Sequence, residues 1–140
     1  MSIFKNLSNF KDNFEGGAPN NGFTNETLRD AVGLWVNDRE EAFSLYGDIN
    51  TWNVSQVTDM NKLFAYRTEF NDEISNWDVG NVTTMREMFY QAFSFNQPIG
   101  RWNVSKVTNM RSMFYGAEAF NQPLANWERT DSTVVNVTNM

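Results

Sequence analysis

Apolar residues recur along the chain at a fixed interval. Trp52, Trp77, Trp102 and Trp127 stand 25 residues apart each time. In register with them come Val54, Val79 and Val104, then Val57-Thr58, Val82-Thr83 and Val107-Thr108, then Met60, Met85 and Met110. Phe64, Phe89 and Phe114 follow, then Phe70-Asn71, Phe95-Asn96 and Phe120-Asn121, and finally Ile74, Ile99 and Leu124. A unit this short cannot bury its own apolar face and must lie against its neighbours. The β-branched V-x-x-V-T-x-M stretch predicts a parallel strand, stacked about 4.8 Å from its equivalents. Met85, Met88 and Phe89 lie at i, i+3 and i+4, as do Met110, Met113 and Phe114, which predicts a short helix closed by Phe-Asn. The I-x-x-W stretch, preceded by Gln97-Pro98 or Gln122-Pro123, predicts a turn and a second extended segment. The fold expected from this pattern is α/β, a right-handed repeat solenoid of about three and a half coils over residues 48–140. Its fourth unit is broken by a five-residue insertion within Glu128–Thr133, before Val134–Met140 restores the V-x-x-V-T-x-M pattern.

Residues 23–47 follow a different period. Leu28, Ala31, Val32, Trp35 and Val36 fall at i, i+3, i+4, i+7 and i+8, so an amphipathic helix is expected over 25–37, with Asn25 or Thr24 as its N-cap. A second helix is expected from Asp38 through Tyr46, ending at Gly47. The pair suits an α-helical N-terminal cap, which a stack of coils needs to cover its first apolar face. Residues 15–22, rich in Gly and Asn, read as a flexible linker. Ahead of it, Ile3, Leu7, Phe10 and Phe14 form one apolar helical stripe on an arm of residues 1–14, a candidate partner-docking element.

Composition narrows the chemistry. The chain has 140 residues, 41% of them hydrophobic and 15% aromatic, enough for one buried core. A net charge of -6 opposes association with nucleic acid and with acidic membranes. With no Cys and no His, disulfides, Cys/His metal sites, thiol nucleophiles and His-dependent acid/base pairs are excluded. No apolar run approaches the roughly 18 residues of a membrane span. Lys5 and Lys11 interrupt the apolar residues of the start, so no signal peptide is read. That reading places the chain in the cytoplasm or in an assembled particle such as a virion, with the cell surface as the alternative. Sequons at Asn53, Asn81, Asn103 and Asn136 fall inside the repeating unit and are explained by it.

The pattern W-[ND]-V-[SG]-x-V-T-x-M-x-x-[ML]-F-x(5)-F-N-x-x-[IL]-x-x-W, over residues 45–140, resembles the repeat of BspA-type surface proteins, a leucine-rich-repeat-like family noted in mycoplasma lipoproteins. Members occur in bacterial surface proteins, protists, algae and some large viruses. The resemblance implies an adhesion or protein-interaction scaffold, with no catalytic motif to carry over. This chain departs at Arg67, where Ala92 and Ala117 stand in later units, and at Gly80, where Ser55 and Ser105 stand.

Each recurring column has a structural and a functional reading. The Trp column suits a core better than an exposed ladder for carbohydrate. Asn71, Asn96 and Asn121 suit an inward hydrogen-bonding ladder donating to turn carbonyls. Thr58, Thr83, Thr108 and Thr138 would form an outward row, with ice binding as a weak alternative. Glu69, Asp72 and Glu73 are the carboxylates nearest an acid/base pair, yet Ser94, Gln97 and Pro98 replace them one unit on, so a solvated loop explains them. Arg86 and Arg111, with Lys62 nearby, read as surface salt-bridging beside Glu87. No catalytic, metal or cofactor-binding residue is expected, and the chain is not expected to be an enzyme. The function expected is a structural or assembly component acting through protein–protein contacts or self-association. An adhesion module that recognises a host or partner protein is the alternative.

Overall fold

The computed structural model describes residues 22–127. The arm (1–14), nearly all of the linker, the insertion and Val134–Met140 lie outside the described residues, and with them Ile3, Leu7, Phe10, Phe14 and Thr138. The described chain opens with helix α1 (Asn25–Asn37) and helix α2 (Arg39–Tyr46), followed by a 3-10 turn at Ile49–Thr51 and another at Ala125–Trp127.

Local chemistry sets the helix ends. Thr24 caps α1, its hydroxyl accepting the Thr27 amide while the Thr27 hydroxyl accepts the Thr24 amide. Asp38 serves two helices. Its amide donates to the Leu34 carbonyl at the end of α1, and its carboxylate accepts the Glu41 amide at the start of α2. Gly47 ends α2 at φ 75°, a left-handed conformation that glycine adopts without strain.

The expected right-handed α/β solenoid, leucine-rich-repeat-like and built from strands and helices, is not what this chain forms. Among the described residues there is no sheet. Strand pairing is reduced to two isolated parallel bridges, Asp59 with Thr84 and Thr84 with Asn109. Both α-helices precede the first Trp of the 25-residue period, so the description of the chain as a repeat protein of that class is corrected too.

The reason lies in the backbone. Lys62, Tyr66, Glu87, Gln91 and Ser112 all have φ between 55° and 63°, and Gly116 has φ 75°. Each of the first three units therefore carries a left-handed residue inside the stretch whose Met and Phe spacing predicted a helix, and a right-handed helix cannot run through one. The strand is cut short from both sides. Amides of Val57 and Leu63 bond back to the Val54 and Met60 carbonyls, curling the chain immediately before and after the single bridge.

Backbone groups in 60–66 and 85–91 are satisfied by a split arrangement, and 110–116 repeats its turn-closing half. Alternate amides close turns within a unit, as Leu63 does to Met60 and Ala65 to Lys62. The others reach forward: Met60 to Thr84, Lys62 to Arg86, Phe64 to Met88 and Tyr66 to Tyr90, with Met85, Glu87, Phe89 and Gln91 repeating the pattern to Asn109, Arg111, Met113 and Tyr115. The amides of the first two units thus find partners without either regular ladder.

Apolar columns fill the space enclosed. Val57, Val82, Val107, Met60, Met85, Met110, Phe64, Phe89 and Phe114 have no exposed surface. The rings of Phe64, Phe89 and Phe114 stack at 5.5 and 5.6 Å with 3° between planes. Phe70, Phe95 and Phe120 stack at 5.9 Å beside them. α1 closes this core at one end, where Phe23, Trp35 and Tyr46 surround Trp52 at 5.1 to 5.7 Å.

Candidate interaction face

The columns singled out in the sequence occupy distinct places. Trp52, Trp77, Trp102 and Trp127 are buried. Three indole N–H groups donate to carbonyls: Trp52 to Gly47, Trp77 to Ile49 at 2.7 Å and Trp102 to Ile74. A ring held this way offers no face to a sugar.

Asn71, Asn96 and Asn121 link successive units, but with the opposite sense to an inward donating ladder. The Asn71 side-chain oxygen accepts the Asn96 amide at 2.8 Å, and the Asn96 oxygen accepts the Asn121 amide at 2.8 Å. Gln97 and Gln122 donate to the same oxygens from the side. Asn71 and Asn121 are exposed rather than inward.

Thr58, Thr83 and Thr108 are exposed as well, yet their hydroxyls are engaged. Thr83 donates to the Thr58 carbonyl and Thr108 to the Thr83 carbonyl, each at 3.2 Å, while Thr58 accepts from the Asn25 amide. Of the carboxylates, Asp72 is held by the Trp35 indole at 2.9 Å and by Arg39 at 2.6 Å, and Glu73 accepts from Ser75. Lys62 and Arg86 both approach the Glu87 carboxylate, at 3.7 and 3.6 Å.

The most conspicuous surface feature is one the period hides. Tyr66, Tyr90 and Tyr115 form a row along one edge of the molecule. Tyr90 and Tyr115 stack at 5.1 Å with 13° between planes, and Tyr66 meets Tyr90 edge-on at 5.5 Å. Tyr66 is 67% exposed and Tyr115 41%, and Phe93, in the turn that follows Tyr90, is 41% exposed. Tyr90 and Tyr115 each follow a buried Phe, so consecutive side chains point to opposite sides of the turn. The sequence signal was present, since Tyr90 and Tyr115 keep the period, but Tyr66 sits one position late.

Beneath the row, loss of solvent around the Tyr90 phenol raises its pKa, with Tyr66, Tyr115 and the Glu87 carboxylate adding to the effect. The row runs from Tyr115 through Tyr90 to Tyr66. It continues toward α1 into a concavity of about 390 Å³, lined by Val36, Arg39, Tyr66, Arg67, Thr68 and Glu69. Val36 is exposed, as is Phe43 on α2. A second concavity, of about 490 Å³ and more apolar, lies between successive turns at Ser75, Pro98, Arg101 and Pro123. No helix among the described residues is long and apolar enough to cross a membrane.

No curated protein and no solved structure matches the chain. Residues 36–140, which include all the units and the whole tyrosine row, match the family described as Mycoplasma protein of unknown function, DUF285, and the chain belongs to that family.

Proposed function

We propose that the chain is a non-enzymatic structural or assembly component that acts through protein–protein contacts, and that the tyrosine row is its contact face. The observation that supports this is the placement of Tyr66, Tyr90, Tyr115 and Phe93 together on the surface, while the Trp, Met and Phe64/89/114 columns are buried. Tyrosine gives a large contact area with few rotatable bonds and a hydroxyl at its tip, which suits it to interfaces. The stack presents ring edges and hydroxyls, a shape that fits a protein surface better than a sugar ring.

Light scattering on the full chain over a range of concentrations tests the proposal. The apparent mass of the wild-type protein rises with concentration, and the variant Tyr66→Ser/Tyr90→Ser/Tyr115→Ser stays monomeric with an unchanged thermal transition. A wild-type chain that is monomeric throughout overturns self-assembly. The second reading then stands, an adhesion module for a host or partner protein, which the likeness of the 25-residue pattern to BspA-type surface proteins favours.

A further inference from the structure

The first unit departs from the later ones at two consecutive positions, and both line the concavity beside α1. Where the second and third units have Gln91-Ala92 and Gly116-Ala117, the first has Tyr66-Arg67. Ala92 and Ala117 are completely buried, so the register asks for a small side chain there. Arg67 instead reaches α1, its guanidinium 3.9 Å from where a Cβ on Gly33 would stand, and lines the concavity. Among the described residues no hydrogen bond or ion pair engages that guanidinium. The contrast with its neighbours is sharp: Arg29 is held by Asp59 and Arg39 by Asp72. Tyr66 adopts φ 63°, strained for a bulky side chain, and its ring stands over the same space.

A planar cation with unfilled donors, walled by Tyr66 and Val36, is suited to a carboxylate carried next to an apolar group. We infer that this concavity binds an acidic side chain of a partner polypeptide, with Arg67 as the carboxylate-binding residue and Tyr66 and Val36 holding the apolar residue beside it. The inference rests on the protein-contact reading above and names the chemistry that one end of the face recognises. Arg39 contributes little charge because Asp72 already neutralises it at 2.6 Å. Glu69, exposed at the rim, opposes the ligand and sets an upper bound on its affinity.

The test is an amide NMR titration of the full chain with the blocked peptide acetyl-Gly-Glu-Phe-Gly-amide and with its Gln analogue. Saturable shifts centred on Tyr66, Arg67 and Thr68 are expected with the Glu peptide and not with the Gln peptide. Arg67→Ala, which restores the residue of the later units and so keeps the fold, weakens binding about ten-fold. Glu69→Gln strengthens it about two-fold. Absence of shifts, equal response to both peptides, or an unaltered affinity in Arg67→Ala overturns the inference. If the peptide fails while the tyrosine variant still abolishes association, only the carboxylate site is lost. If the peptide binds and the mass never changes, the self-assembly reading fails and this site remains.

Discussion

The side-chain oxygen of Asn25 accepts the Thr58 amide at 2.9 Å, the position that the Thr58 carbonyl takes for the Thr83 amide at 2.8 Å. A helix residue thus stands in for the peptide group of a preceding unit. Arg29 completes the substitution one turn further along α1. Its guanidinium donates to the Asn61 carbonyl at 2.6 Å and to the Asp59 carbonyl at 3.4 Å. In the next unit the equivalent carbonyls, of Arg86 and Thr84, accept backbone amides from Lys62 and Met60.

Asn25→Ala removes the acceptor for Thr58 and Asp59 together. A loss of about 1 kcal/mol is expected, since these amides are partly reached by water. Asn25→Asp, which keeps the acceptor, costs less. Denaturant titration with an unchanged m-value checks this, and equal losses for the two variants would show that the acceptor is unimportant.

Trp77 is buried and its indole N–H meets the Ile49 carbonyl, whereas Thr83 lies on the surface. Trp77→Ala should cost about 3 to 5 kcal/mol through the cavity it leaves. Trp77→Phe fills most of that space and leaves the Ile49 carbonyl with the Trp52 amide alone, at about 1 kcal/mol. Thr83→Val should stay within about 1 kcal/mol, because the Thr58 carbonyl keeps the Thr83 amide. Calorimetric melting of the three variants gives the order directly.

Ser112 has φ 55° in the turn where the Met and Phe spacing predicted a helix. A β-branched residue is poorly accommodated there, so Ser112→Val should cost about 1 to 2 kcal/mol. Ser112→Gly should be close to neutral, relief of strain being offset by greater freedom of the unfolded chain. If valine and glycine at this position melt together, the left-handed turn does not persist in solution.

Two phenols contribute to the alkaline limit. Burial raises the Tyr46 pKa well above its ordinary value of 10.0, with the Asp30 carboxylate adding to the effect, and Tyr90 is shifted the same way. The unfolded chain loses these protons first, so the stabilisation is intact below about pH 10 and is lost as pH rises through the folded-state values. Denaturation midpoints should hold steady up to about pH 9 and then fall. Tyr46→Phe should flatten the fall, and a midpoint that drops equally in that variant would exclude the assignment.

What the sequence revealed depended on whether side-chain spacing or backbone handedness set the structure. α1 was legible because Leu28, Ala31, Val32 and Trp35 face the core. Leu34 joins them and Val36 does not, since α1 packs on α2 as well as on the first unit. The periodic core was legible for the same reason. The turns were not. Lys62, Glu87 and Ser112 give no hint of left-handed backbone, and only Gly116 announces its own. At Lys62 and Glu87 the following unit supports that conformation by accepting the residue's own amide. The tyrosine row was missed because Tyr66 joins it from the adjacent register, a shift that only the turn geometry permits.

The forward-reaching amides give the molecule an electrical direction. Met60, Lys62, Phe64 and Tyr66 point their N–H groups toward the next unit, and carbonyls of that unit point back, so their dipoles add along the stack. The Thr83, Ser94, Thr108 and Ala119 amides run the other way and subtract only in part. Unmatched carbonyl charge therefore collects at the α1 end, much as it does at the C-terminus of a helix. Arg29, itself paired with Asp59, meets that end through hydrogen bonds to the Asn61 and Asp59 carbonyls, so the exposed acceptors are filled without a net charge being added.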